Sequence, residues 1–92
     1  MERENPFCPG DIARHFKRGL LSPEELAAEP GRYLYDIIGV AEHTETGEQL
    51  MIYRPRYGDK RLFARPLVMF LSEVDREKYP DANQRWRFEK EE

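Results

Sequence analysis

Gly and Pro residues divide this chain into short apolar runs. The longest uninterrupted run extends only from Leu67 to Leu71, and most of the others alternate along the chain with a period of two. Such alternation is typical of a strand, whereas a core helix needs a run of about ten residues or more with a period near 3.6. The pattern therefore predicts a mostly β domain, built as a small antiparallel barrel or roll with tight turns.

Five of these runs are predicted strands. They are residues 11–16, 33–41, 50–53, 62–65 and 85–88. Gly39 inside the second run predicts a bulge or a sharp bend. That run has apolar side chains on both faces, which predicts a central strand covered on both sides. Residues 67–71 predict one α-helical or 3₁₀ turn that plugs an end of the core.

One helix start is clearly marked. Ser22 is a preferred N-cap, Pro23 suits the first helical position, and Glu25 is placed to close a capping box. The helix ends at Pro30 and Gly31, because the residue before Pro avoids helical angles. The sequence thus predicts a short helix, inserted at 22–31, which must lean on the body of the domain to be stable.

The length of 92 residues suits a single domain. We expect an irregular lead-in at 1–9 and one SH3-like β-barrel domain at 10–92. Cys8 is the single cysteine, which allows no disulfide within the chain and suits a reducing compartment. No run resembles a signal sequence or a membrane span. The expected location is therefore the cytoplasm, without membrane association.

The charge is unevenly distributed. Fifteen Lys and Arg against eighteen Asp and Glu give a formal charge of −3, which argues against a general nucleic-acid binder without excluding nucleic acid as a partner. Basic residues nevertheless collect in one stretch, which contains a single acid, Asp59. They are Arg54, Arg56, Lys60, Arg61 and Arg65. This stretch is either a binding site or a solvated hairpin.

Several short motifs follow one another in a fixed order. They are Arg14-His15-Phe16-Lys17, His43-Thr44-Glu45-Thr46-Gly47-Glu48, Tyr53 with Tyr57-Gly58-Asp59, Arg65-Pro66-Leu67-Val68-Met69-Phe70, and residues 73–80 with 87–89. Their order and spacing from Gly10 to Lys90 resemble family 1653 of the bacterial domains of unknown function. The resemblance implies an SH3-type roll and carries over no reaction. Many members have only a few residues where this chain inserts Leu20 to Arg32.

Little in the sequence points to catalysis. His15 and His43 are the only histidines, and with Cys8 and Glu45 they lack the close spacing of a metal site. A strand-end histidine and a turn-capping histidine are the favoured interpretations. No Ser or Cys stands in a recognisable nucleophile motif. We therefore predict no catalytic residues, no metal and no cofactor.

Candidate ligand-binding residues come from the motifs and the basic stretch. They are His15, His43, Tyr53, Tyr57, Arg65 and Trp86. Arg and Tyr side chains on the strands of a small barrel suit a phosphate, a carboxylate or a stacked base. A partly exposed Trp suits contact with a protein partner. The opposing interpretation is that Arg65 pairs internally with an acid.

We predict a non-catalytic binding module, monomeric or homodimeric, for a protein or peptide or for an anionic ligand bearing a phosphate or nucleotide. The alternative is a small metal-dependent or hydrolytic enzyme that uses His15 and His43, which requires the two imidazoles to lie close together. A third possibility is a structural partner that joins a complex or a homodimer through an open sheet edge.

Overall fold

A computed structural model describes residues 3–91 and contains one antiparallel sheet of five strands. The strands are β1 (Ile12–His15), β2 (Leu34–Glu42), β3 (Gln49–Pro55), β4 (Phe63–Pro66) and β5 (Phe88–Lys90). Two short helices, α1 (Pro23–Ala28) and α2 (Leu67–Phe70), and a 3₁₀ helix (Phe16–Leu20) connect them. The sheet order is β4-β3-β2-β1-β5, so the predicted mostly β architecture and the central position of β2 are confirmed.

Between residues 3 and 91, no helix is both long and apolar enough to cross a membrane.

The two longest strands form a hairpin with the predicted bulge. β2 and β3 pair from Tyr35 opposite Pro55 to Glu42 opposite Gln49, and the register shifts between Ile37 and Gly39. The extra residue bends the sheet and increases its twist.

The inserted helix begins as predicted. The Ser22 hydroxyl accepts the Glu25 backbone N–H at 3.1 Å, and the Glu25 carboxylate accepts the Ser22 backbone N–H at 3.0 Å. α1 lies within the predicted range and buries none of its residues. The segment returns to the sheet at Gly31, where an added Cβ would lie 2.6 Å from the carbonyl oxygen of Arg56.

The predicted closure into an SH3-like barrel is not confirmed, because the sheet is open. In the described chain, β4 pairs with β3 alone and β5 with β1 alone, so both remain edge strands. The last predicted strand was also placed too early, since β5 begins at Phe88. Residues 85–87 bond to a neighbouring loop instead: Val74 N–H donates to Arg85 O and Arg87 N–H donates to Ser72 O, both at 2.9 Å.

The prediction that β2 is covered on both faces was wrong. Tyr35 and Ile37 are buried, whereas Ile38 and Val40 on the opposite face are each 43% exposed. A single sheet with short helices buries one face of its central strand and leaves the other partly open.

The core is a cluster of aromatic rings on the covered face. Phe70 of α2 stacks on Phe88 of β5 with ring centroids 3.9 Å apart, which confirms that the 67–71 turn plugs the core. Phe7 adds a third ring, 5.5 Å from Phe70, and is only 6% exposed. Residues 3–11 thus have no helix or strand, but they are anchored in the core through Phe7.

Candidate functional site

A groove lies between the two edge strands. β4 contributes Phe63 and Arg65 to it, and the chain entering β5 contributes Arg87 and Phe88. The Arg65 guanidinium carbon is 5.7 Å from the centroid of the Phe88 ring, so the two edges approach each other without pairing. This space, the β4–β5 groove, has a volume of about 600 Å³ and is also lined by His15.

The floor of the groove is a set of interlocked aromatic rings. Tyr53 lies 5.3 Å from Tyr35 and 5.8 Å from Phe88, measured between ring centroids. Burial raises the pKa of the Tyr53 hydroxyl, and the adjacent Arg65 guanidinium acts in the opposite direction. These rings belong to the hydrophobic core, which holds the floor in a fixed shape.

The β4 side of the groove has an exposed apolar rim. Leu62, Phe63 and Met69 line the groove and are 54%, 42% and 50% exposed. Large side chains with this exposure next to a concave surface are typical of a contact site.

Two arginines converge on His15. Arg65 and Arg87 line the β4–β5 groove and also a second hollow of about 290 Å³, which includes His15 again and adds Lys17 and Lys78. Within residues 3–91, neither arginine forms a salt bridge, although other basic side chains do. Those are Arg14, Arg32, Arg56, Arg61, Arg85 and Lys90.

The structure therefore gives no support to an internal carboxylate partner for Arg65. Asp75 is the one acid lining either hollow, and only the second one. Its carboxylate accepts the backbone N–H groups of Glu77 and Lys78 at 3.1 and 3.3 Å. The shared part of the two hollows, formed by His15, Arg65 and Arg87, is here called the cationic centre.

His15 is held in one orientation and one protonation state. Its Nδ1 accepts the Lys17 backbone N–H at 3.1 Å, and its ring packs 4.9 Å from Phe88. Burial, followed by the positive charges of Lys17, Arg65 and Arg87, lowers the pKa of His15 to about 4. Since Nδ1 is an acceptor, the neutral ring at pH 7 carries its proton on Nε2 and offers a donor there.

The other predicted site residues lie elsewhere. The Tyr57 hydroxyl is 2.8 Å from that of Tyr35, so Tyr57 packs beside the floor without lining the groove. Trp86 lies in a separate hollow between two arginines, with Arg3 4.7 Å and Arg85 4.5 Å from its ring centroid.

His43 caps the hairpin turn, where its Nδ1 accepts the Glu45 backbone N–H at 3.2 Å. His15 lies beside the start of β2, because its backbone N–H donates to the Tyr33 backbone carbonyl. His43 follows the end of that strand. A nine-residue strand at ~3.3 Å per residue separates them by roughly 30 Å. The two imidazoles therefore do not share a site, and no metal-binding group of three or more His, Cys, Asp or Glu occurs among residues 3–91.

The basic stretch divides into three groups, because Arg54 and Lys60 form no salt bridge within residues 3–91 and lie outside the groove. Arg56 bonds Asp36 at 2.9 Å and Arg61 bonds Asp59 at 3.0 Å, while Arg65 turns into the groove. Arg87 was missed by the sequence analysis. Nothing in the local alternation distinguishes it from Arg85, because its position depends on pairing of β5 with β1.

Residues 11–90 match the family model DUF1653, described as a protein of unknown function, and the chain belongs to this family. The matched range includes the whole cationic centre and begins after Phe7. No curated protein and no solved structure matches the chain significantly.

Proposed function

We propose that this member of the DUF1653 family is a non-catalytic binding module, and that its β4–β5 groove takes an anionic, phosphate-bearing ligand. The observation that carries this proposal is the convergence of Arg65 and Arg87 on His15 without a carboxylate partner in the described chain. Positive groups held close together repel one another, and a bound anion relieves that repulsion.

The donor chemistry of the cationic centre fits an oxyanion. Each guanidinium presents several N–H groups in a planar fork, which suits two oxygens of one phosphate. The Nε2–H of His15 adds a neutral donor. A fully ionised phosphate has acceptor oxygens and no donor. It therefore matches a set of donors for which no carboxylate competes.

The same geometry favours binding over acid–base catalysis. A general base needs a free lone pair within reach of the substrate. The Nδ1 lone pair of His15 is already occupied by the Lys17 N–H, and the other ring nitrogen is a donor. The enzyme alternative also needed His15 beside His43, and these lie at opposite ends of β2.

In this proposal the SH3-like roll expected from the sequence is left open between β4 and β5, and the ligand occupies the gap. An extended peptide added to the β4 edge is the second candidate, favoured by the exposed Phe63 on that edge. A cytoplasmic location remains a prediction that fits the exposed thiol of Cys8.

The proposal is tested by titrating inorganic phosphate and sulfate into the chain in a chloride-poor buffer, with backbone amide NMR as the readout. We expect saturable shifts at His15, Arg65 and Arg87 that weaken as salt is added. Arg65→Gln or Arg87→Gln should weaken the binding at least about tenfold, the loss of one charge-assisted pair.

Arg61→Gln is the matched control, because Arg61 belongs to the same basic stretch but pairs with Asp59 outside the groove. It should bind the anions like the unmodified chain. Equal losses in Arg61→Gln and Arg65→Gln, or no saturable shift at all, would contradict the proposal. A peptide that binds along β4 independently of Arg65 would favour the second candidate instead.

A further inference from the structure

The two hollows form one continuous surface with three different chemistries. The β4–β5 groove joins the second hollow through His15, Arg65 and Arg87, which line both. On the groove side Leu62, Phe63 and Met69 form an exposed apolar rim, and on the other side Lys17 and Lys78 add ammonium groups. Apolar wall, guanidinium pair and ammonium pair thus follow one another along the surface.

The apolar end suits a flat ring. Phe63 and Met69 are about half exposed there, above a floor formed by buried Tyr53. An aromatic ring laid against such side chains buries apolar area without leaving a polar group unsatisfied.

The far end suits a second anion. The ammonium groups of Lys17 and Lys78 both lie 5.6 Å from the centroid of the Tyr79 ring, and neither forms a salt bridge within residues 3–91. Asp75 is the one acid that lines this hollow, and four basic side chains line it as well: Lys17, Lys78, Arg65 and Arg87.

We infer that the ligand carries an aromatic ring and two successive phosphates, as a nucleoside 5′-diphosphate does. The ring lies against Phe63 and Met69, the first phosphate lies at Arg65 and Arg87, and the second lies between Lys17 and Lys78. This inference rests on the proposed function and names its ligand class. The formal charge of −3 favours a small ligand over a long nucleic acid, whose binding depends on many neutralised phosphates.

The test compares inorganic phosphate, pyrophosphate, AMP, ADP, ATP and an eight-nucleotide single-stranded DNA by calorimetry and amide NMR. We expect pyrophosphate to bind about tenfold more tightly than phosphate, and ADP to bind about tenfold more tightly than AMP. ATP should gain nothing over ADP, because the ring and two phosphates already occupy both hollows.

Variants separate the two ends. A Lys17→Gln, Lys78→Gln double variant should bind ADP only as tightly as AMP, and its affinity for AMP should equal that of the unmodified chain. Lys60→Gln is the control, because Lys60 lies outside both hollows. Phe63→Ala should weaken the binding of AMP and ADP but leave the binding of pyrophosphate unchanged. Val40→Ala removes an apolar side chain of similar exposure from another surface and should change none of them.

The outcomes distinguish the inference from the proposed function. If phosphate binding depends on Arg65, but the lysine and Phe63 variants change the affinities for all the ligands by the same factor, the inference is wrong and the proposed function stands. If none of the anions binds, both are wrong. If the oligonucleotide binds more tightly than ADP and still needs Phe63, the ligand is a nucleic-acid strand and the diphosphate assignment is overturned.

Discussion

The half-buried imidazole of His15 should make the stability of the fold depend on pH. Burial and the charges of Lys17, Arg65 and Arg87 lower the pKa of His15 from 6.5 to about 4 in the folded chain. An unfolded chain titrates near 6.5, so between these pH values it binds a proton that the folded chain does not. The free energy of unfolding therefore falls as the pH falls from 6.5 toward 4. Above pH 6.5 the ring is neutral in both the folded and the unfolded chain, so His15 adds no pH dependence there.

The size of the effect follows from the difference in pKa. The two pKa values differ by 6.5 − 4, or about 2.5, and each unit corresponds to ~1.36 kcal/mol, which gives at most about 3 kcal/mol. The ring is only partly buried, and solvent screening reduces the figure to about 2 kcal/mol.

Urea unfolding at pH 7 and pH 4.5 measures this loss. His15→Asn is the matched control, because an amide oxygen can still accept the Lys17 N–H and does not ionise. Carboxylates such as Asp11 and Glu25 contribute equally to both chains and cancel. The native chain should lose about 2 kcal/mol more than the variant. Equal losses of unfolding free energy in the two chains would refute this prediction, and so would an NMR titration of the His15 ring with its midpoint near pH 6.5. A His43→Asn variant identifies which of the two histidine signals belongs to His43.

The remaining predictions concern packing and caps, and urea unfolding measures each. Phe7→Ala should lower the free energy of unfolding by about 3 kcal/mol, because the ring is buried against Phe70; a loss below about 1 kcal/mol would show that the lead-in lies outside the core. Ser22→Ala removes the N-cap acceptor and should cost about 1 kcal/mol, whereas Ser22→Asp should restore it. Gly31→Ala should cost about 1–3 kcal/mol, since its Cβ would lie 2.6 Å from the Arg56 carbonyl, and an unchanged midpoint would contradict that contact.

Local chemistry explains which parts of the fold could be predicted. The capping box at Ser22, the bulge at Gly39 and the helical turn after Pro66 each depend on residues within a few positions of one another. Such signals are present in any one sequence, because backbone angles and caps are decided locally. They gave the order and type of most elements.

Long-range pairing explains what could not be predicted. Residues 85–87 bond to the loop at 72–74, so the last strand starts at Phe88 and the sheet stays open. Phe7 belongs to the predicted irregular lead-in, and it joins the core through contact with Phe70, which is far away in the sequence. The same is true of the site: His15, Tyr53 and Arg65 were predicted together, while Arg87 joins them only through β5 pairing with β1.

The open sheet and the unpartnered charges are two aspects of one arrangement. Arg65 lies on one edge and Arg87 enters the other, and like charges facing each other across strands oppose pairing. An anion between them would offset that repulsion. It would also raise the pKa of His15, because it counters the positive charges of Lys17, Arg65 and Arg87 that lower this pKa. The other charged groups near the ring are Lys78 and Asp75, which line the adjoining hollow. Sulfate, which does not titrate in this range, should therefore move the His15 midpoint upward. Sulfate binding that leaves that midpoint in place would put the anion outside the cationic centre.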